Sequence, residues 1–277
     1  MIRRGIGVQS FVSAGIPPDA DATAFITAAG ITDATQQSAI NTLVIDLKGY
    51  GIWSKMKAIW PMVGGTASTH KWNLKDPRDL DAAFRLLFSG GITHSSTGVL
   101  WNGVNGFGRT YLLPSTLTAN NAHLSYYSRT QNITGNQLEI GCSNSGSGIP
   151  EISQSFYYNS SNYKGFFDGS FPTNFLSVNN TTTTGFLNGN RTSSTVQKLF
   201  FNGAQIGTTN TNLKSSGYPP SPFYFFLGVG SYGSSTNGYW SKRECAFASI
   251  GDGLTDTEAA NLYTAVQAYQ TSLSRNV

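Results

Sequence analysis

The chain has 277 residues, 39% of them hydrophobic and 13% aromatic, enough to bury one large core and too rich in rings for a disordered chain. Charged residues make up only 12%, about half the share usual in a soluble domain, so hydroxyls and amides must carry the surface. The net charge of +4 comes from scattered Lys and Arg with only two short clusters, "MIRRG" and "SKREC", which argues against nucleic acid as a partner because a basic stripe is missing.

Residues 1–18 end in Gly-Ile-Pro-Pro, have no hydrophobic period and are read as an extended arm. Gly, Gln and Ser break its apolar run, so it does not read as a secretory signal, and no stretch of the chain approaches the 18 apolar residues of a membrane span. Asp19 and Asp21 then precede "ATAFITAAG", a short helix stopped by Gly30. Asp33 stands three residues before Gln36, a capping-box spacing, with Thr32 the rival cap. Ile40, Leu43, Val44 and Leu47 fall at i, i+3, i+4 and i+7 and predict a second helix ending near Lys48 and Gly49. Residues 19–51 are therefore read as a helical annex whose apolar stripe packs on a sheet domain spanning 52–277.

From Ile52 onward the pattern is that of strands. "AIWPMVGG" and "AAFRLLFSGG" are short apolar runs bounded by Gly, and "HLSYYSRT", "NQLEIGCS", "ISQSFYYN" and "FLSVNN" follow at strand-and-turn spacing. "VQKLFFNGAQIGTT" predicts a hairpin, since Asn202-Gly203 suits the positive φ angles of a type I′ turn. "PFYFFLGVG" reads as a strand buried on both faces. Many short strands at regular spacing predict a β-sandwich or barrel, and no repeat of solenoid or propeller period is present. After the last strand, "AFASIGDG", Thr255 and Glu258 form a second capping box with Asp256 in the first turn. Ala259, Leu262, Val266 and Tyr269 line one face of that final helix, with Tyr263 beside it, and the helix is expected to cap an edge or open end of the sandwich.

The succession "LFFNGAQIG", "LGVG", "NGYW", "AFASIG" and "LTDTEAANLY" resembles the C-terminal half of a concanavalin A-like (laminin G or pentraxin-like) jelly roll. The string "GIWSKMKAIWPMVGGTASTHKWNLKDPRDLDAAFRLLFSGGITHSSTG" resembles a domain that recurs in structural proteins of tailed bacteriophages. The resemblance implies a mainly β fold: a concanavalin A-like antiparallel β-sandwich (jelly roll) with an N-terminal helical annex and a C-terminal helix.

Catalytic patterns are weak. "GVGSYG" at 228–233 matches G-x-G-x-x-G, but a dinucleotide site needs a helix directly after it, and "SSTNGYW" reads as turn and strand. Glycan-cleaving jelly rolls carry E-x-D-x-x-E on one strand; the four glutamates here, Glu139, Glu151, Glu244 and Glu258, do not stand in that pattern. His70, His94 and His123 read as three unrelated hydrogen-bonding residues, and a metal or triad role would need them to converge in space. Asp76, Asp79 and Asp81 have a spacing that suits Ca²⁺ but lack a full set of oxygen ligands; a turn at Asp76-Pro77 with Arg78 pairing is the plainer reading, and no cofactor is expected. Cys142 and Cys245 are expected as buried thiols, one long-range disulfide being the alternative. Asn132, Asn159 and Asn190 open N-x-S/T triplets that read as surface amides.

Aromatic residues beside Asn, Ser and Gly appear in segments that read as loops: Trp101, Tyr126-Tyr127, Tyr157-Tyr158, Tyr163, Tyr232 and Tyr239-Trp240. Trp101, Tyr232 and Trp240 are the candidate contacts for a glycan or a partner protein, with core packing as the rival role. The phage resemblance implies a non-enzymatic virion component on the particle surface, attached to capsid or tail proteins through residues 1–30 and the annex. Such a component would be displayed as a homo-oligomer, its sandwich touching host-surface glycans. A glycan-cleaving sandwich is the alternative from another class.

Overall fold

The structure, a computed structural model, describes residues 17–118, 120–143, 150–158, 163–170, 175–179, 181–213, 223–232, 235–236 and 239–277. All of the expected arm except Pro17 and Pro18 lies outside the described residues.

Three of the four described helices form where the sequence places start signals, and the shortest, Ala67–His70, was not predicted. Helix α1, Ala20–Ala29, begins at Asp19, whose side chain accepts the Asp21 amide, and ends at Gly30. Helix α2, Ala34–Gly49, begins at Asp33, whose carboxylate accepts the Gln36 amide at 2.8 Å, so Thr32 is not the cap. Lys48 at the far end of α2 reaches back to Asp19 and Asp21 at 2.7 and 2.6 Å, tying the two helices into a pair. Helix α3 is one turn, Ala67–His70, and α4 runs from Asp256 to Ser272 with both arms of the Thr255/Glu258 capping box made. No described helix is long and apolar enough to cross a membrane.

The strands are β1 Met56–Trp60, β2 Leu87–Ser89, β3 Ile92–Ser95, β4 Gly98–Trp101, β5 Phe107–Arg109, β6 Ala122–Ser128, β7 Ile140–Ser143, β8 Pro150–Tyr158 and β9 Tyr163–Ser170. They continue with β10 Phe175–Asn179, β11 Gly185–Ser193, β12 Val196–Phe201, β13 Ala204–Asn210, β14 Phe226–Leu227, β15 Ser231–Tyr232, β16 Ser235–Thr236 and β17 Glu244–Gly251. "AAFRLLFSGG" is only partly strand: Asp81–Ala83 is a 3₁₀ turn and Phe84 is left-handed at φ 59° before β2 starts.

Two sheets form the sandwich among the described residues. The first has the order β13-β12-β11-β6-β17-β4-β3, with β1 also on β17; the second has β10-β9-β8-β7-β14-β5-β2, with β15 and β16 attached beside β7. Pairing is antiparallel apart from a single parallel bridge between Tyr232 and Ser143. The β12–β13 turn is the expected one, with φ of 47° at Asn202 and 78° at Gly203. A Cβ at Gly203 would fall 2.7 Å from the Tyr263 ring, so this turn also docks on α4.

Between the sheets lie Trp60, Trp101, Tyr126, Phe156, Phe166 and Leu227, all buried. Two buried ion pairs cross this interior, Arg191 of β11 to Asp168 of β9 and Arg243 to Glu139. Further hydrogen bonds serve both guanidinium groups, since Arg191 Nη2 donates to the Asp168 carbonyl and Arg243 Nη1 to Gln137, while Arg243 Nε is buried without a partner among the described residues. Such pairs are tolerated inside only when hydrogen bonds satisfy both charges, and removing one partner typically costs about 3–5 kcal/mol.

A second apolar layer corrects the expected place of α4. The helix does not close an edge; it lies flat on the outer face of the first sheet. Its Ala259, Leu262, Val266 and Tyr269 pack with Tyr127, Phe186, Phe200 and Phe247 from four strands, and the same cluster holds Phe25 of α1 and Ile40, Leu43, Val44 and Leu47 of α2. Each such aliphatic or aromatic side chain contributes about 1.5–3 kcal/mol when fully buried. Arg275 locks the end of the chain by donating to the carbonyls of Pro61, Met62 and Ala246. The molecule is therefore three layers: helices, first sheet, second sheet. None of the described helices packs on the outer side of β2, β5, β14, β7 and β8, since α1, α2 and α4 share the apolar cluster of the first sheet.

Candidate functional site

Strand β5 sets the site by simple alternation. In "FGRTY", residues 107–111, Gly108 points inward toward Leu86 and Phe88, so Phe107 and Arg109 point out. Register carries this face across neighbouring strands. Arg109 pairs with Leu87 on one side and Phe226 on the other, Phe226 pairs with Gly141, and Gly141 with Ser153. Glu151, two residues from Ser153 on β8, lies on the same face.

The outward rings form a continuous row. Trp240 stands 6.2 Å from Phe107 between ring centroids, and Phe107 stands 5.5 Å from Phe226. The Arg109 guanidinium carbon lies 5.6 Å from the Phe226 centroid and 5.8 Å from that of Tyr111, and Tyr111 meets Tyr224 edge-on at 5.5 Å. Both guanidinium contacts are within cation–π range. Phe226 is buried, while Trp240, Phe107, Arg109, Tyr111 and Tyr224 are half-buried, so their outer parts meet solvent.

Tyr111 is held in an uncommon conformation, with φ at +58°. For a bulky residue this costs about 1–3 kcal/mol and persists only where neighbours enforce it. The enforcing group is Thr110, buried, whose hydroxyl donates to the Phe225 carbonyl at 2.9 Å and accepts the Leu112 amide at 3.1 Å. Thr110 thereby fixes the backbone on both sides of Tyr111 and aims its ring at Arg109.

The expected contact residues are distributed as follows. Trp240 is in the row. Trp101 is not available: it is 1% exposed, donates its indole N–H to Tyr126, and packs on Gly228 where a side chain would collide. It lies on β4 and not on a loop, which is why an aromatic beside Asn and Gly misled. Tyr232 has its backbone in β15, and its side chain lies outside the described residues. Tyr126, Tyr127 and Tyr157 are also buried. Phe107, Arg109, Tyr111, Tyr224 and Phe226 were missed; the alternation F-x-R-x-Y was the signal for the first three.

The remaining chemistry is mostly committed to structure. Among the described residues eleven of the fourteen carboxylates sit in ion pairs, including Asp76 with Arg78, Asp79 with Lys71 and Arg85, and Asp81 with Arg85, so the Asp76–Asp81 segment is committed to structure. Among the described residues no three His, Cys, Asp or Glu side chains gather as a metal site would require. Glu139 faces Arg243 inside the sandwich, Glu244 pairs with Arg129, and Glu258 serves the α4 cap and Lys55. Glu151 accepts from Ser153, and burial pushes its carboxyl up to about 7.

His70 and His94 do converge, against expectation, with their Nδ1 atoms 3.0 Å apart. The Gly65 amide donates to His70 Nε2 at 3.1 Å, so the His70 hydrogen is on Nδ1 and is donated to His94. A metal at these Nδ1 atoms would need the His70 proton moved to Nε2, where it would face the Gly65 N–H. His123 stands apart, bonded to the Asp252 carbonyl and Ser249. Gly228 of "GVGSYG" turns at φ +82° and is followed by strand β15, not a helix. Cys142 and Cys245 are buried free thiols.

No protein-family model and no curated protein matches the chain. Solved structures do. Domain 4 of AbnA, a GH43 extracellular arabinanase from Geobacillus stearothermophilus, in complex with arabinotriose, superposes with TM-score 0.54 at 15% identity, over 75% of this chain and 98% of that one. A mutant of Trypanosoma rangeli sialidase displaying trans-sialidase activity gives 0.55 at 9% over 83% of this chain and 39% of that one, and the same organism's sialidase in complex with sialic acid gives 0.51 at 10% over 74% and 32%. The chain thus spans between a third and two fifths of these sialidases' length. The likeness establishes the sandwich fold. It also corrects the expectation of a non-enzymatic virion component, which stood on a resemblance to tailed-phage proteins: the matching structures are those of sialidases and of an arabinanase domain, and nothing in them points to a phage.

Proposed function

We propose that this chain works in glycan cleavage, holding an oligosaccharide on the outer face of its second sheet. The row from Trp240 through Phe107, Phe226, Arg109 and Tyr111 to Tyr224 carries the reading. Ring faces with negative π density attract the C–H faces of sugars, and a row of rings suits an extended chain of sugars better than a compact ligand. The fold is also that of an arabinanase domain whose structure contains arabinotriose.

Glu151 is the carboxyl we assign to proton donation. It shares the face with Arg109, about 16 Å away across three strand spacings and two residues along the strand. Near neutral pH about half of it is protonated, as a general acid for a glycosidic oxygen requires.

The test is a titration of arabinotriose and a glycan array with wild type and Trp240→Ala. We expect binding weakened about tenfold by loss of the ring face. Absence of binding to any glycan at millimolar concentration overturns the proposal. Reducing-sugar release on the glycans that bind then tests cleavage. Turnover should fall as pH rises through about 7 and disappear in Glu151→Gln. A glycan bound tightly and left uncut at every pH removes the cleavage half alone.

A further inference from the structure

The guanidinium in the middle of the row has no counter-charge among the described residues. Among the described residues seven arginines are present, and six of them are hydrogen-bonded: Arg78, Arg85 and Arg129 to carboxylates near the surface, Arg191 and Arg243 to buried ones, and Arg275 to backbone carbonyls. Arg109 alone among them makes no hydrogen bond and no ion pair with a described residue, and its Nε is buried without a partner. Its neighbours across the strands are Leu87 and Phe226, neither of which can accept.

An arginine left in this condition costs stability, since its buried nitrogen loses water and gains no acceptor. The cost is compounded by Tyr111, held at positive φ by Thr110 so that its ring flanks the guanidinium. Rings at 5.6 and 5.8 Å leave the guanidinium little freedom. With Nε occluded, the edge left for a ligand is the pair of Nη nitrogens, two parallel donors that match the two oxygens of a carboxylate.

We propose that Arg109 reads the carboxylate of an acidic sugar, so that the glycan this face prefers contains a uronic or sialic acid unit. The inference rests on the glycan-holding reading above and adds the chemical class of the ligand. Neutral sugars contact only the rings; an acidic sugar adds the two charged hydrogen bonds that Arg109 lacks.

The experiment measures affinity for three acidic probes, a galacturonate trimer, a hyaluronan tetrasaccharide and sialyllactose, each against its own methyl ester. The ester keeps the sugar and removes the charge. Wild type should bind at least one acid about tenfold more tightly than its ester. Arg109→Gln should erase that preference, bringing acid and ester to the same affinity, and Trp240→Ala should weaken acid and ester by the same factor. Leu87→Glu provides a second variant that leaves Arg109 in place: Leu87 is 47% exposed and directly opposite, so its new carboxylate occupies the guanidinium and lowers the preference without disturbing the interior. Equal affinity of wild type for acid and ester in all three pairs overturns this inference and leaves the glycan-holding face standing. A preference that survives in both Arg109→Gln and Leu87→Glu overturns it too, by assigning the charge effect to the overall +4 of the chain. Failure of acids, esters and neutral glycans alike to bind overturns the glycan-holding reading itself.

Discussion

His70 and His123 are neutral rings that the fold keeps neutral. Burial pushes His70 down to about 3, helped by the positive charges of His94 and Arg275, and burial pushes His123 down to about 4 against the pull of the Asp252 carbonyl. Above about pH 6.5 neither state of the chain carries these protons. As pH falls, the unfolded chain takes them up first, near 6.5, while the folded rings resist to about 3 and 4. Stability is therefore complete above pH 6.5 and is lost as pH falls toward 4. Glu151 acts in the opposite sense between about 7 and 4.5, gaining stability as pH falls, so the histidine contribution is read as a difference between variants. Melting temperatures from pH 7.5 to 4 should fall less steeply in His123→Asn and His70→Gln than in wild type. Identical slopes in all three would remove the account. None of this was legible in the sequence, because His94 beside His70, and Asp252 and Ser249 beside His123, are brought there by tertiary contact.

At the level of elements, the sequence was most informative where a few adjacent residues decide the outcome. Asp33 with Gln36, Thr255 with Glu258 and Asn202 with Gly203 each form the predicted cap or turn, since the partners lie within three residues of one another. Thr255→Ala removes the acceptor for the Glu258 amide and should lower unfolding free energy by about 1 kcal/mol, seen as a lower urea midpoint with an unchanged slope. No change in midpoint would mean that packing, and not the cap, starts α4. What α4 packs on could not be read locally. Its stripe was visible, but the rings that receive it come from β6, β11, β12 and β17, spread over more than a hundred residues. The same holds for the aromatic row. Phe107, Arg109 and Tyr111 stand on alternate positions and could have been found together; Phe226 and Trp240 join them only through strand pairing and a turn.

The whole molecule separates two kinds of surface. On one side the helices and the first sheet share a continuous apolar layer, closed by Arg275; on the other, the second sheet keeps a face of rings and one unpaired guanidinium. Arg109, Tyr111, Tyr224 and Trp240 belong to neither apolar cluster. Replacing Trp240 or Arg109 should accordingly shift the melting temperature by no more than about 2 °C, whereas a charge at Leu262 should unfold the chain or drive it to aggregate. A comparable loss of melting temperature at both places would show that the layers are not independent. Where they are independent, a lineage is free to redraw its ligand preference side chain by side chain on that face. The hull beneath it need not be rebuilt each time, so the same scaffold is open to new sugars at small mutational distance.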